Sequence, residues 1–242
     1  MTSGQPDLPN RNRIYLCAPV IALVEGIYQE KIPLSQIREH GDFGLGTFDD
    51  LDGEMVILDG RVYQITAQGR VHQADEHAST PFACVTYYSP SSHDELEGEL
   101  SYVDFRQWLQ RLLPSPNIFY ALRIEGRFAS MRLRSVPRQE NYRPLVEVAK
   151  EQSVFSFTDI EGSLAGFFTP SFLSSLNVPG FHLHFLSADM RHGGHLLECV
   201  PSRVKVGVQM ISTLELALPL SLDYLTRDFK RNTDQDLEQA EK

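Results

Sequence analysis

Polar and apolar positions alternate most clearly in residues 181–200, where His182 and His184 stand between apolar residues. A polar bend follows, and a second apolar run begins at His195. This pattern predicts a β-hairpin. Alternation places His182 and His184 on one face, and a turn centred on residues 189–190 places His184 across from His195. The three imidazoles are therefore expected to converge.

The remaining pattern predicts helices interspersed with short strands. Apolar spacing and turn residues predict helices at 18–27, 34–40, 103–113 and 144–152. Alternating or continuously apolar runs predict strands at 14–16, 54–58, 61–66, 81–88, 119–125, 128–136, 153–157, 162–170, 203–210 and 213–218.

Turn and capping residues add local predictions. Asp59-Gly60 is a hairpin signal, and Gly126 predicts a second hairpin turn. Ser35 is a candidate helix cap. Residues 89–98 are predicted to form a polar loop, and the polar tail over 227–242 is expected to be frayed.

These elements favour an α+β fold of two domains, with mixed β-sheets, flanking helices and a site on a β-hairpin of the C-terminal half. We expect a disordered tail over residues 1–13, an N-terminal α/β domain over 14–140 and a C-terminal β-rich, metal-binding domain with its tail over 141–242. The first thirteen residues lack a basic segment followed by an apolar one, so they do not predict a secretory signal. A cytoplasmic protein that does not span a membrane is expected.

Composition narrows the range of partners. The net charge of -10 argues against nucleic-acid binding, which requires clustered Lys and Arg, and it favours a small-molecule substrate. The three cysteines, Cys17, Cys84 and Cys199, form no CxxC motif and predict no disulfide framework.

Three clustered imidazoles indicate a metal centre. They would repel one another if protonated, whereas neutral imidazoles can share one divalent cation. Three protein ligands with open positions are typical of a catalytic zinc site. A single histidine on a strand is usually a surface or core residue, but the return of His195 on the paired strand favours metal binding. His192, in the predicted turn, is the rival third ligand.

Two further charged residues are candidates because of their position. Glu54 stands where a Gly-rich loop becomes a buried strand, from which a carboxylate can point into a cleft. Arg134 ends a strand, where its guanidinium can bind a carboxylate in bidentate fashion.

Seven segments together carry a family resemblance: GDFGLGTF at 41–48, LDGE at 51–54, TPFA at 80–83, RSVPRQ at 134–139, GFFTP at 166–170, NVPGFHLHF at 177–185 and GGH at 193–195. Through them the chain resembles the α-acetolactate decarboxylases from about residue 14 to its C-terminus. The resemblance implies a catalytic Zn²⁺ bound by His182, His184 and His195. It also implies that Glu54, Arg134 and Glu241 surround the metal, with Glu238 as the alternative to Glu241, and that the protein is a homodimer.

The implied reaction converts 2-acetolactate to (R)-acetoin and carbon dioxide, as in acetoin and butanediol biosynthesis. Such a reaction needs an electron sink, and the sequence offers no dinucleotide site and only Lys205 as a weak Schiff-base candidate. We therefore expect the metal to chelate the hydroxyl and ketone oxygens and to stabilise the enediolate. Arg134 would orient the carboxylate, and Glu54 and Glu241 would act in the metal shell or as acid–base groups.

Two other classes fit the histidine pattern. A cupin-like metal-dependent isomerase or dioxygenase also uses HxH and a later histidine, but the usual glutamate after HxH is absent and residue 188 is alanine. A zinc-stabilised structural or regulatory β-domain would coordinate its metal fully and would not need Arg134 and Glu54 nearby.

Overall fold

The computed structural model describes residues 12–241. The predicted disordered tail lies outside the described residues up to residue 11, and Arg13, also assigned to that tail, begins the first strand. The strands, in chain order, are β1 (Arg13–Leu16), β2 (Ile32–Pro33), β3 (Phe43–Thr47), β4 (Glu54–Leu58), β5 (Arg61–Ile65), β6 (Val71–Gln73), β7 (Ser79–Thr80), β8 (Ala83–Thr86), β9 (Ser92–Glu97), β10 (Phe119–Ser135), β11 (Ser153–Thr169), β12 (Gly180–Ser187), β13 (Gly193–Ile211) and β14 (Thr213–Leu216).

The helices are α1 (Val20–Val24), α2 (Leu34–Arg38), α3 (Tyr102–Arg111), α4 (Leu145–Val148), α5 (Leu222–Thr226) and α6 (Asp234–Ala240). Short 3₁₀ turns occupy Asp49–Leu51, Ala149–Glu151 and Ser171–Leu173. Within residues 12–241, no helix has both the length and the apolar character needed to cross a membrane.

Within the described chain, the strands form two main sheets and a small β2–β7 pair. The first sheet has the order β14-β1-β8-β3-β4-β5-β6, in which β14 and β1 are parallel. The second has the order β10-β11-β12-β13-β9, and an added β10–β13 pairing joins β10, β11, β12 and β13 into a closed ring. The predicted mixture of helices and several sheets is confirmed. The division into two domains at residue 140 stays a prediction, and β9 and β10 pair with strands that follow that residue.

The predicted hairpin at Asp59-Gly60 is confirmed. All five residues of β4 are buried, and β5 pairs with β4 along its whole length. Asp59 and Gly60 both have positive φ, at 51° and 74°. A tight two-residue turn of type I′ requires this conformation, which Asp and Gly tolerate better than other residues. The turn therefore fixes the register of the strand that begins at Glu54.

The hairpin predicted at Gly126 is wrong, because β10 continues through this residue to Ser135. Gly126 has a φ of +145°, and a Cβ there would lie 2.2 Å from the carbonyl oxygen of Arg203 on β13. The glycine is thus required for close approach of a neighbouring strand and not for a turn. The strands predicted at 153–157 and 162–170 are likewise one strand, β11, which pairs with β10 from Ser153 to Phe168.

Two local predictions near the surface are also wrong. The polar segment predicted as a loop contains β9, an exposed edge strand that pairs with β13. Its charged side chains gave no strand pattern, because an edge strand needs only main-chain pairing and commonly carries charge. Ser35 lies inside α2, and the residue before that helix is Pro33, which supplies no side-chain cap.

The expectation of a frayed C-terminal tail is wrong for residues 234–240, which form α6. Leu237 and Ala240 are 3% and 1% exposed and belong to the same core cluster as residues of α4. The Arg231 guanidinium binds Glu25 and Asp236 and so ties the segment to the end of α1. This docking brings the residue that follows α6 into the interior.

The main core lies where the two sheets face each other. It contains Val56 and Ile65 from the first sheet together with Phe167 and Leu186 from the second. Because β4 lies against β12 and β13, the first residues of β4 meet the strands that carry the predicted histidines.

Candidate metal centre

The histidine hairpin forms with the predicted register. His184 on β12 pairs directly with His195 on β13, and His182 lies on the same face as His184. The three ring centroids are 5.0 to 5.2 Å apart. One ring nitrogen from each histidine lies within 4.8 Å of the others, and all three residues are buried. The structure thus brings the predicted trio together.

Glycines allow the strands around the histidines to approach closely. A Cβ at Gly166 would lie 2.0 Å from the carbonyl oxygen of His182, so only glycine permits this approach of the two strands. Gly194 has a φ of +146°, and a Cβ there would lie 2.5 Å from the carbonyl oxygen of Arg134. Because Gly194 precedes His195, this contact sets Arg134 directly opposite His195 in the sheet.

The imidazoles have the protonation state that a metal ligand requires. Burial lowers the pKa of His182 to about 3, with the Arg134 charge adding to the effect. Burial likewise holds the pKa values of His184 and His195 well below the usual value. Neutral imidazoles keep a lone pair that can bind a metal ion.

The hydrogen bonds around the rings also fit a metal ion. The Met55 carbonyl can only accept, so the His184 Nδ1 atom 2.8 Å away carries the proton and Nε2, which lies 3.3 Å from His195 Nδ1, bears the lone pair. Within the described chain, the buried Nδ1 of His182 has no hydrogen-bond partner. A neutral imidazole has one nitrogen with a lone pair, and a cation shared by the trio would bind one such nitrogen from each ring.

Glu54 and Arg134 form a buried ion pair beside the trio. The Arg134 Nη1 atom donates to Glu54 Oε1 at 2.8 Å, and both side chains are 6% exposed. Glu54 Oε2 lies 3.5 Å from His184 Nε2. Burial raises the pKa of Glu54 to about 7, with Arg134 opposing and Glu241 adding to the shift.

Glu241 completes the cluster from the C-terminal side. Its Oε1 lies 3.5 Å from Arg134 Nη2, and its Oε2 lies 3.6 Å from His182 Nε2 and 3.5 Å from His195 Nε2. Burial raises the pKa of Glu241, while the Arg134 charge opposes the shift. Glu238 lines a neighbouring cavity and not the one around the trio. Glu241 therefore lies beside the trio, whereas Glu238 lies in the next cavity.

The other candidates lie elsewhere. In the described chain, the cluster of possible metal ligands comprises the predicted trio, and His192 instead contacts Phe157, with ring centroids 4.7 Å apart. The Lys205 ammonium is exposed and lies 3.0 Å from Glu95, so it is not a buried Schiff-base lysine. Cys199 is buried and lies outside the cluster.

Sequence patterns missed the side chains that surround and support the cluster. Apolar residues from separate elements line its small cavity, namely Val20, Leu23, Leu51, Phe82, Val136, Leu145 and Val178. The Thr47 hydroxyl donates to the Gly53 carbonyl at 2.7 Å, and Thr80 donates to the Thr47 carbonyl at 2.7 Å. These bonds hold the turn that immediately precedes Glu54 in the chain. Both threonines lie in segments that carry the family resemblance, which is the signal that could have identified them.

Comparisons with known proteins agree with this geometry. A family model described as alpha-acetolactate decarboxylase matches residues 14–231. The alpha-acetolactate decarboxylase of Methanosarcina mazei is 38% identical over 240 residues, which are 98% of this chain and 83% of that protein. A crystal structure of the Bacillus subtilis alpha-acetolactate decarboxylase superposes with a TM-score of 0.92 at 32% identity, covering 95% of this chain and 99% of that chain. A Staphylococcus aureus protein described as similar to this enzyme gives a TM-score of 0.88 at 27% identity, covering 95% and 98% of the two chains.

Proposed function

The chain belongs to the alpha-acetolactate decarboxylase family, and we propose that it converts 2-acetolactate to (R)-acetoin and carbon dioxide with Zn²⁺ held by His182, His184 and His195. The relatives' named activity makes the chain a carboxy-lyase rather than a cupin-like isomerase or dioxygenase or a structural zinc domain. The observation that carries the proposal is the convergence of three buried ring nitrogens beside the Arg134 ion pairs.

The donor set suits zinc in a catalytic role. Three imidazole nitrogens on a β-hairpin leave coordination positions open, as in catalytic zinc sites. When bound, the zinc ion supplies a Lewis acid that polarises the hydroxyl and ketone oxygens of the substrate.

Arg134 is suited to orient the departing carboxylate. Its guanidinium is held between two carboxylates, by Nη1 to Glu54 and by Nη2 near Glu241. In the described chain, the buried Nε of Arg134 has no hydrogen-bond partner, so this donor can serve the substrate. A rigid guanidinium fixes a carboxylate by direction as well as by charge.

The reaction consumes one proton, because the carbon that loses carbon dioxide must receive a hydrogen. Besides Arg134 and the trio, the titratable groups lining this cavity in the described chain are Glu54 and Glu241. They approach the histidines from different elements, Glu54 from the start of β4 and Glu241 from the end of α6. We assign proton transfer to these two carboxyl groups, whose fixed positions would deliver the proton to one face of the carbon.

Removal of the metal tests the proposal directly. A chelator followed by buffer exchange should abolish acetoin release, and one equivalent of zinc per chain should restore it. Magnesium, which prefers oxygen ligands, should not restore activity. Full acetoin release by protein shown to be metal-free would disprove the metal mechanism.

Two variants separate metal binding from turnover. His184→Ala should lose both zinc and activity, because it removes a ligand. Arg134→Ala should retain zinc and lose turnover, since its guanidinium is not a ligand. Zinc per chain by elemental analysis and acetoin release are the measurements, and an active Arg134→Ala protein would remove Arg134 from its assigned role.

Three further properties stay proposals. We propose a homodimer, for which light scattering should give about twice the 27.4 kDa of one chain. A cytoplasmic location and a place in acetoin or butanediol biosynthesis are consistent with the proposed reaction.

A further inference from the structure

The cavity around the histidines is too small to contain the whole of the proposed substrate. Its volume is about 40 Å³, which holds only a few water molecules. A second cavity, of about 540 Å³, adjoins it. Val178, His195 and Glu241 line both cavities and form the boundary between them. The larger cavity therefore leads up to the trio from the side of Glu241.

The larger cavity lies between α3 and α6. Tyr102 and Arg106 of α3 line one side, and Leu237 and Glu238 of α6 line the other. Ser174, which follows a 3₁₀ turn, also lines it. The opening of the larger cavity is thus bounded by two helices that are far apart in the sequence.

With one exception, the charged side chains that line this cavity are carboxylates, which repel an anion. Asp234, Glu238 and Glu241 contribute carboxylates to its wall, and the whole chain has a net charge of -10. Among the described residues that line it, Arg106 supplies the only guanidinium or ammonium group. An anionic substrate that enters here is repelled by the acidic wall and attracted by Arg106.

Arg106 is positioned to bind a ligand. Its Cζ lies 5.8 Å from the centroid of the Tyr102 ring, one helical turn earlier on α3. No carboxylate of the described chain lies within ion-pair distance of its guanidinium, whereas Arg134 contacts two. The side chain is exposed, so its donors are accessible from the cavity and from solvent.

We propose that the cavity between α3 and α6 is the entry route of the substrate and that Arg106 is the first group to bind its carboxylate. This inference rests on the proposed function only for the identity of the substrate as a small hydroxyketo acid. Arg106 would capture the anion at the mouth, and Arg134 would receive it beside the trio. Arg106 would then affect capture and not the chemical step.

Neutralising Arg106 tests capture. Arg106→Gln should lower kcat/KM about three- to fivefold at about 0.01 M ionic strength, where charges act over about 30 Å. The effect should vanish at about 1 M, where they act over about 3 Å. The kcat value should be unchanged and Arg106→Lys should restore kcat/KM. Arg111→Gln is the matched control, because it removes the same charge from α3 outside the cavity.

A binding measurement tests Arg106 without turnover. Calorimetry with 2-hydroxyisobutyrate, a small hydroxy acid, should show binding weakened by the same factor in Arg106→Gln at low salt, and not in Arg111→Gln. If wild-type protein releases no acetoin, the proposed function fails while this measurement still tests capture. If the wild-type protein is active and Arg106→Gln matches it in binding and in kcat/KM, as Arg111→Gln is expected to do, the proposed role of Arg106 is wrong.

Filling the cavity tests the route. Ser174→Phe should lower kcat/KM at least about tenfold because it obstructs the passage, while zinc content and melting temperature stay close to wild type. Unchanged kcat/KM in a folded, zinc-loaded Ser174→Phe protein would show that the substrate enters elsewhere.

Discussion

The carboxylate of Glu241 lies 3.5 Å from the guanidinium of Arg134, which joins the end of the described chain to the strand at the centre of the site. Arg134 also binds Glu54 at 2.8 Å, so one guanidinium is shared by two carboxylates from separate elements. The centre is complete only when α6 is docked against the rest of the fold.

Glu241→Gln should lower kcat by about 10²-fold or more, because removal of a group that transfers protons commonly costs this much. Zinc content should change little, since the amide is nearly the same size. Glu238→Gln removes the neighbouring carboxylate that faces the second cavity and should retain kcat within about twofold. Steady-state kinetics of the two variants are the measurement. Loss of kcat in Glu238→Gln with a normal Glu241→Gln protein would assign the role to Glu238.

Leu237→Ala should lower kcat through loss of α6 docking. Leu237 is 3% exposed, and truncation of a buried leucine typically costs about 2–5 kcal/mol. A less well docked α6 holds Glu241 near the trio for a smaller fraction of the time, so we expect kcat to fall about tenfold or more. Leu222→Ala, at a leucine that is 76% exposed, is the control and should be neutral. Equal kcat values for both variants would show that turnover does not depend on this packing.

Gly126→Ala should destabilise the fold by about 1–3 kcal/mol, because it combines a strained φ with a Cβ placed 2.2 Å from the Arg203 carbonyl oxygen. Gly98→Ala is the control, since Gly98 also has positive φ, at +100°, but a Cβ there meets nothing within 4 Å. Urea unfolding should therefore show a larger loss for Gly126→Ala. A larger loss for Gly98→Ala would contradict the strand contact.

Asp50→Asn should reduce stability near neutral pH and have less effect in acid. Burial raises the pKa of Asp50, but hydrogen bonds from Gln29, Tyr142 and Arg138 outweigh it and hold the pKa below its usual value. A lowered pKa in the folded state means that the charged form stabilises the protein above the unfolded value of about 3.9, and that this contribution is lost as pH falls through the folded pKa.

The unfolding free energies of wild type and Asp50→Asn should differ by about 1 kcal/mol at about pH 6, and the difference should shrink below about pH 3. Asn tolerates the left-handed φ of 62° at this position, so backbone strain does not confound the comparison. Urea unfolding at both pH values is the measurement, and a difference that grows in acid would contradict the sign.

Local sequence signals predicted those features that depend on neighbouring residues. Asp59 and Gly60 specify their turn because both must adopt positive φ, and alternation around His182 and His184 specifies their shared face. The same signals failed at Gly126 and in β9. A glycine that relieves a contact between distant strands looks like a turn residue, and an edge strand of charged residues looks like a loop.

The sequence by itself determined the histidine trio, because strand periodicity and hairpin register follow from short-range geometry. It also carried the family resemblance that named Glu54, Arg134 and Glu241 together. Only the tertiary structure decided that α6 folds and docks, since Leu237 and Ala240 gain their stability from burial against a distant helix and not from helix propensity. The tertiary structure likewise decided which charged side chains line the cavity between α3 and α6, because these two helices meet only through long-range packing.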